Sequence, residues 1–529
     1  MTASRMTTLR PLRPLDVLFV LMIAIQVAGL WMWKFFPSGD GPSHLYNVSV
    51  LFNYDKVPIY REYFRIEFSP AGNLMTDLLL GGLMKIFSPL IAEKVLLSIY
   101  LISFPVVFRI LLTALAPEAA PSFSFFAFLL TYNLFLHLGS WNFCFSLPLA
   151  LLALWMVARS ARSTSIAAFG GLALLALATY CAHLVSWGML VLATGSILLC
   201  EQMGWPATPS QRPLSGRLGV FAAVSVPGVL AALFVAGDPH RLGFAGGSLG
   251  AKAKILYKLP FLESVGDAEA ILRRGLLVVF IGAITALTAR RWLYRKPFWN
   301  PLLAVGAASC LLAVFGPRNY GNGLNIRERV ELFAVLFLLA GLAIAGWPRI
   351  VNRVLPFVLS GLSLIAMWHR RPAYEHWNSR LAEYAALDPY IGANSTVLRL
   401  FFGDFGLQPT FHAMGYWAPK PFIDVANYEA NANHFTVRFK NGKSLQERGL
   451  MWSGGKASLA GYLRKLVSAG APFDYVLVDA TPRKLEEWDD AVNASGFLSA
   501  YDLNYATPWP GSLRLYRNLK MREAMSFER

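Results

Sequence analysis

The 529 residues are 55% hydrophobic and only 15% charged, with 37 Phe, 15 Trp and a mean hydropathy of +0.46. Soluble domains hold about 25% charged residues, so a soluble enzyme and a disordered chain are excluded, and four Cys are too few for a disulfide scaffold. The net charge of +17 is concentrated in residues 1–367, where 29 Lys and Arg face 15 Asp and Glu, against 19 and 16 in residues 368–529. Basic loops in that proportion set orientation in a membrane and meet anionic lipid. No basic–aromatic patch points to nucleic acid.

The first apolar segment, 15–33, follows Arg5, Arg10 and Arg13 and ends at Trp31, Met32 and Trp33, with no small-residue cleavage site after it. It is expected to be an uncleaved helix with a cytoplasmic N-terminus. Further spans are expected at 95–115, 122–138, 142–158, 165–182, 184–200, 218–236, 271–289, 299–315, 329–346 and 351–367. The stretch 73–90 is apolar but short, and it carries Asp77 and Lys85. Reading it as an interfacial helix keeps Arg159, Arg162, Arg290, Arg291, Arg295 and Lys296 on the inner side, as the positive-inside rule prefers. The sum is eleven spans in an α-helical polytopic membrane domain, 1–367, whose segment 34–94 is one long outer loop. Loop 237–270 is also outer, yet it holds Arg241, Lys252, Lys254 and Lys258, with Arg273 and Arg274 just after. An anionic partner at the outer face would give those cations a reason. Residues 368–529 have strand-like runs at 396–402, 475–479 and 513–516, a helix at 456–468 and turns at 441–442 and 508–511. They are expected to form an extracytoplasmic α/β or α+β domain.

Polar groups converging at a membrane face are the default functional site. The first outer loop opens with Pro37, Gly39, Asp40, Gly41, Pro42, His44 and Tyr46. A helix over 43–54 would put His44 in its first turn and Tyr46 close behind. Asp40 reads either as a base that accepts a proton from a hydroxyl or as the cap of that helix. His137 and His183 lie where spans emerge at the outer side, either as hydrogen-bonded interface residues or as walls of a cavity shared with Asp40 and His44. The Gly/Asn-rich loop 316–329 offers Arg318, Arg327 and Arg329; an Arg fork suits phosphate oxygens, and the competing use is pairing with Glu328 or Glu331. Lys252, Lys254 and Lys258 are a second phosphate candidate. In the tail, Asp404 and Asp479 are isolated acids, for which a structural use is favoured. No close ligand spacing supports a metal, and no cofactor is expected. P-loop, HExxH and CxxC motifs are absent from the sequence.

One inward N-terminus and helix, a long outer loop with an early Asp and two surface helices at about 43–54 and 73–88, a polytopic core and an outer tail domain together resemble the GT-C superfamily of membrane glycosyltransferases. The run from Asp40 through His44 to Tyr46, with 58–60 and 70–73 following, is similar to the first-loop pattern of its bacterial members. The resemblance implies a polyprenyl-phosphate-linked sugar as donor and a lipid, glycan or protein as acceptor. It further implies a bacterial cytoplasmic membrane location and an inverting transfer with Asp40 as general base. Many members carry a second acid beside the first; here the neighbours are Gly39 and Gly41. Two other classes stay open: a transporter or flippase of a lipid-linked substrate, and a non-catalytic scaffold on the same fold.

Overall fold

A computed structural model describes residues 13–68, 72–159, 165–204, 212–237, 242–244, 248–265, 269–294, 300–320, 324–402, 409–432, 435–451, 456–508 and 512–521. Arg5, Arg10, Arg162, Arg241, Arg295, Lys296, Asp404 and most of the turn at 508–511 lie outside the described residues.

Apolar runs become helices, and their starts follow capping chemistry. Proline, which has no N–H to lose at a helix start, opens α1 (Pro14–Trp31). The segment expected as the first outer loop contains α2 (Gly41–Asn53), α3 (Pro58–Tyr63), the short strand β1 (Phe64–Ile66) and α4 (Met75–Met84). The α4 helix has 10 residues, too few to cross a bilayer, as its Asp77 and Lys85 imply. The next helix, α5 (Pro89–Leu115), is long. The apolar run at 122–138 is broken into α6 (Ala120–Phe123), α7 (Phe126–Leu130) and α8 (Leu134–Leu138). Asn133 breaks it there, because its side chain accepts from the N–H groups of Phe135 and Leu136 and so starts a new helix. Then come α9 (Trp141–Arg159), α10 (Ile166–Ala182) and α11 (Leu184–Gln202), with α12 (Leu214–Ser225) and α13 (Gly228–Gly237) bent by 42° across a break that holds Pro227.

The two basic loops expected on the outer side meet as a ribbon. Strand β2 (Leu242–Phe244) precedes α14 (Leu249–Lys258) and α15 (Ala270–Tyr294); α16 (Pro301–Phe315) leads to β3 (Pro317–Tyr320), which pairs antiparallel with β2. The last apolar helices are α17 (Ile326–Ile344) and α18 (Arg349–Ala386). Among the described residues, six helices can cross a membrane by length and composition, or seven if the bent pair is one span. This criterion does not reach the expected eleven, although every expected span coincides with helix. Some of the buried charge at these helices is paired, as Arg370 with Glu269 (3.0 Å) and Arg212 with Glu201 (2.7 Å), whereas the Glu93 carboxyl on α5 is buried with no hydrogen-bond partner among the described residues.

The α18 helix runs for 38 residues through position 367 without interruption and enters the tail. There β4 (Ser395–Phe402), β5 (Phe422–Asp424), β6 (Val437–Phe439), α19 (Lys456–Ser468), β7 (Tyr475–Ala480), α20 (Pro482–Ser495), β8 (Tyr501–Ala506) and β9 (Leu513–Asn518) follow. Five strands form one sheet in the order β5-β4-β7-β9-β8, with β4 parallel to β5 and β7, and β9 antiparallel to both its neighbours. Asp479, at the end of β7, is used structurally: it accepts from Arg380 (2.8 Å) and the Tyr384 hydroxyl (2.5 Å). The first outer loop is sewn to this tail. Strand β1 pairs with β6, and Ser49 on α2 donates to the Ala418 carbonyl (2.8 Å).

Candidate active site

Asp40 is held by close backbone packing between the start of α2 and the turn after α8. Gly39 and Asp40 donate their N–H groups to the carbonyls of His137 (2.7 Å) and Leu138 (2.9 Å). Gly139 ends α8 at φ +86°, and a Cβ there would stand 2.7 Å from the nitrogens of both Asp40 and Gly41. Glycine alone meets both demands without strain. A Cβ at Gly41 would lie 2.7 Å from the Trp141 ring and 2.8 Å from the Ser38 hydroxyl. A side chain at position 41 would therefore collide with an indole.

Asp40 occupies the N-cap position of α2, yet its side chain makes no capping bond. A third of that side chain (33%) stays open, and its Oδ1 lies 3.7 Å from Nε2 of His412 in the tail segment Pro409–Trp417. The Tyr428 hydroxyl lies near both Asp40 and Glu429 and favours the ionised Asp40 carboxylate. Burial raises the Asp40 carboxyl from 3.8 to about 6, against the pull of His44, the Tyr428 hydroxyl and Arg329.

His44 is a fixed cation beside this group. Its Nδ1 faces Asp77 Oδ1 at 3.1 Å and its Nε2 faces the Gly139 carbonyl at 2.9 Å. Both partners are acceptors, so both ring nitrogens carry a proton. Burial opposes that charge, but the hydrogen bond to Asp77 and the charges of Asp77, Glu429 and Asp40 outweigh it and raise the imidazole from 6.5 to about 10. The ring also stacks on Trp141 at 5.2 Å between centroids. Glu429 is buried, receives a hydrogen bond from Asn47 and is raised by burial to about 7.

The other sequence candidates separate by what they touch. Arg329 stacks over Phe135 (5.2 Å) and Phe143 (5.5 Å) and donates to Leu324 and Ser140, while its Nε has no partner among the described residues. Its charge reaches Asp40. Arg327 instead ties elements together, donating to the carbonyls of Ala313 and, at 2.9 Å, Lys252. Tyr46 is buried, donating to the Phe422 carbonyl and accepting from the Asp424 N–H, both at 3.0 Å. His137 is fully buried between the Asn133 carbonyl (3.0 Å) and the Tyr374 hydroxyl (2.5 Å). His183 starts α11 by accepting from the Val185 N–H at 3.2 Å. Arg318 on β3 and Lys254 and Lys258 on α14 are exposed, and Lys252 is half-buried. The structure thus brings Asp40, His44 and Arg329 together. It adds four residues that the sequence did not single out as site groups: Asp77, His412, Tyr428 and Glu429. Among the described residues no group of three His, Cys, Asp or Glu is arranged to hold a metal ion.

Apolar helices, the long segment between α1 and α5 and the sheet-bearing tail define a multi-pass membrane protein of GT-C-like fold. No protein family and no curated protein matches the chain by sequence. Among solved structures it is similar to ArnT from Cupriavidus metallidurans bound to undecaprenyl phosphate, with a TM-score of 0.50 and 11% identity over 95% of this chain and 98% of that one. At that identity the likeness speaks for the fold.

Proposed function

We propose that this chain is a membrane glycosyltransferase that moves a sugar from a polyprenyl-phosphate donor to an extracytoplasmic acceptor, with inversion and with Asp40 as the general base. In this reading residues 1–367 form the membrane domain and 368–529 the domain outside the cytoplasm. The observation that carries it is the Asp40 carboxylate: fixed by its backbone, released from capping, a third open, and raised to about 6 beside a fixed cation. The acceptor O–H gives its proton to Asp40 while its oxygen bonds to the anomeric carbon. The bond from that carbon to the lipid phosphate oxygen breaks, and its electron pair leaves with the phosphate. A phosphate is a good leaving group, so the second need is cationic charge rather than a strong acid. Arg329 supplies it near Asp40, and Lys252, Lys254, Lys258 and Arg318 attract the headgroup from the surface. The undecaprenyl phosphate in the ArnT structure supports this donor class.

The test is transfer of radiolabelled polyprenyl-phosphate sugars by the purified chain in lipid, with bacterial membrane extract as acceptor. Asp40→Asn should lower kcat by ~10²–10⁴. In the wild type kcat/KM should rise with pH around 6, because the base acts only when ionised. Transfer that survives Asp40→Asn would move the base elsewhere, and no transfer by the wild type with any donor would end the enzyme reading.

A further inference from the structure

The tail domain places an unpartnered nitrogen against the proposed base. His412 is 5% exposed, and its Nε2 has no hydrogen-bond partner among the described residues. Leaving a polar nitrogen buried and unpaired is costly, so its position calls for a ligand. Its facing atom is Asp40 Oδ1 at 3.7 Å, too far for a direct hydrogen bond. An oxygen about 2.8 Å from each would bridge the two. Nothing about this approach is loose. The segment Pro409–Trp417 lies so close on α2 that a Cβ at Gly415 would fall 1.8 Å from the Pro42 carbonyl oxygen, and the backbone kinks at His412 itself. The His412 ring packs against Tyr428 at 5.0 Å between centroids, and Tyr428 keeps 40% of its surface exposed at the seam.

Resting on the enzyme reading above, we propose that the tail completes the active site: His412 Nε2–H donates a hydrogen bond to the acceptor hydroxyl oxygen while that hydroxyl donates to Asp40, and Tyr428 positions the Asp40 carboxylate. The acceptor is then a hydroxyl-bearing molecule that enters between α2 and the tail. As the reaction proceeds the hydroxyl proton passes to Asp40, the oxygen bonds to the anomeric carbon, and the phosphate departs with the electron pair of the broken bond. His412 remains neutral throughout and loses no proton. Burial and the charges of Arg399 and His44 hold it well below its ordinary value, which suits a neutral donor. The groups facing Asp40 are His44 from α2, His412 from the helical segment, Tyr428 and Glu429 beside β6, and Arg329 from α17, with Asp77 of α4 behind His44.

The test compares wild type, His412→Ala, His412→Gln and Tyr428→Phe as full-length protein in lipid. Rates are measured against acceptor extract and against donor, and binding of undecaprenyl phosphate is measured separately. His412→Ala should raise the apparent acceptor KM at least tenfold and leave undecaprenyl phosphate affinity within about twofold. His412→Gln, which restores a donor, should recover part of the acceptor KM. Tyr428→Phe should move the acid limb of kcat/KM upward from near 6, since it removes a donor that favours the ionised carboxylate. An active wild type whose variants lose donor and acceptor affinity equally, without rescue by Gln and with a lowered melting temperature, would overturn the proposal and leave the enzyme reading intact. So would variants indistinguishable from wild type. A wild type that transfers no sugar overturns both.

Discussion

Around Asp40 the charged side chains have fixed partners: His44 is clamped between Asp77 and the Gly139 carbonyl, and Glu429 is bonded to Asn47. On α14, by contrast, Lys254 and Lys258 project from an amphipathic helix with exposed ammonium groups. The difference follows from what each charge must do. A base has to stand within hydrogen-bond reach of one proton, so fractions of an ångström matter. A cation that draws in a phosphate headgroup acts through long-range potential and tolerates a flexible stem. Under the proposed mechanism, rigid and flexible electrostatics divide the work.

Substitutions can break this contrast at either end. On turnover, the largest effect short of removing the base itself is expected at Gly139→Ala, where the new Cβ has to push the Asp40 and Gly41 nitrogens away from 2.7 Å and the φ of +86° becomes strained. Misplacing the base by about an ångström should cost on the order of 10²-fold in kcat, with undecaprenyl phosphate binding retained; unaltered turnover would show that Asp40 needs no such support. Next comes His44→Gln, which strips a buried cation from Asp77. Breaking a buried pair costs about 3–5 kcal/mol, readable as a lower melting temperature. Because folding raises His44 from 6.5 to about 10, its stabilisation is whole below 6.5 and is lost as pH rises through 10. The wild-type melting temperature should therefore decline across that window, and the variant should lack this component of the slope. The smallest effect belongs to Lys254→Gln and Lys258→Gln. Each should weaken capture of a polyprenyl-phosphate sugar by about 1 kcal/mol at low salt and by less at high salt. A salt-independent loss of equal size would place those lysines in fixed contacts instead.

Apolar length and proline punctuation made the membrane helices readable from sequence, and the tail helix at 456–468 and three of its strands coincide closely with α19, β4, β7 and β9. The interruption of 122–138 was not readable, because Asn133 acts through a local side-chain cap that hydropathy ignores. At the site, Asp40 and His44 were visible because they are close in sequence. Asp77 was noticed only as a flaw in a span, and its partner became clear once α4 lay beside α2. His412, Tyr428 and Glu429 come from more than 360 residues away, and no spacing rule connects them to Asp40. The glycines around Asp40 gave a signal that could have been used: Gly39, Gly41 and Gly139 are what two backbones in close contact require.

Helix α18 has one more consequence. Its 38 residues span at most about 57 Å at ~1.5 Å per residue, running from the apolar helices into the tail without a linker. A tail on a tether would sweep through many heights above the bilayer. A tail on a rod, pinned again where β1 meets β6, is a gauge. If the proposed function holds, molecules that carry their reactive group at one level above the lipid would meet the seam beside Asp40, and chemically identical groups at another level would pass over it.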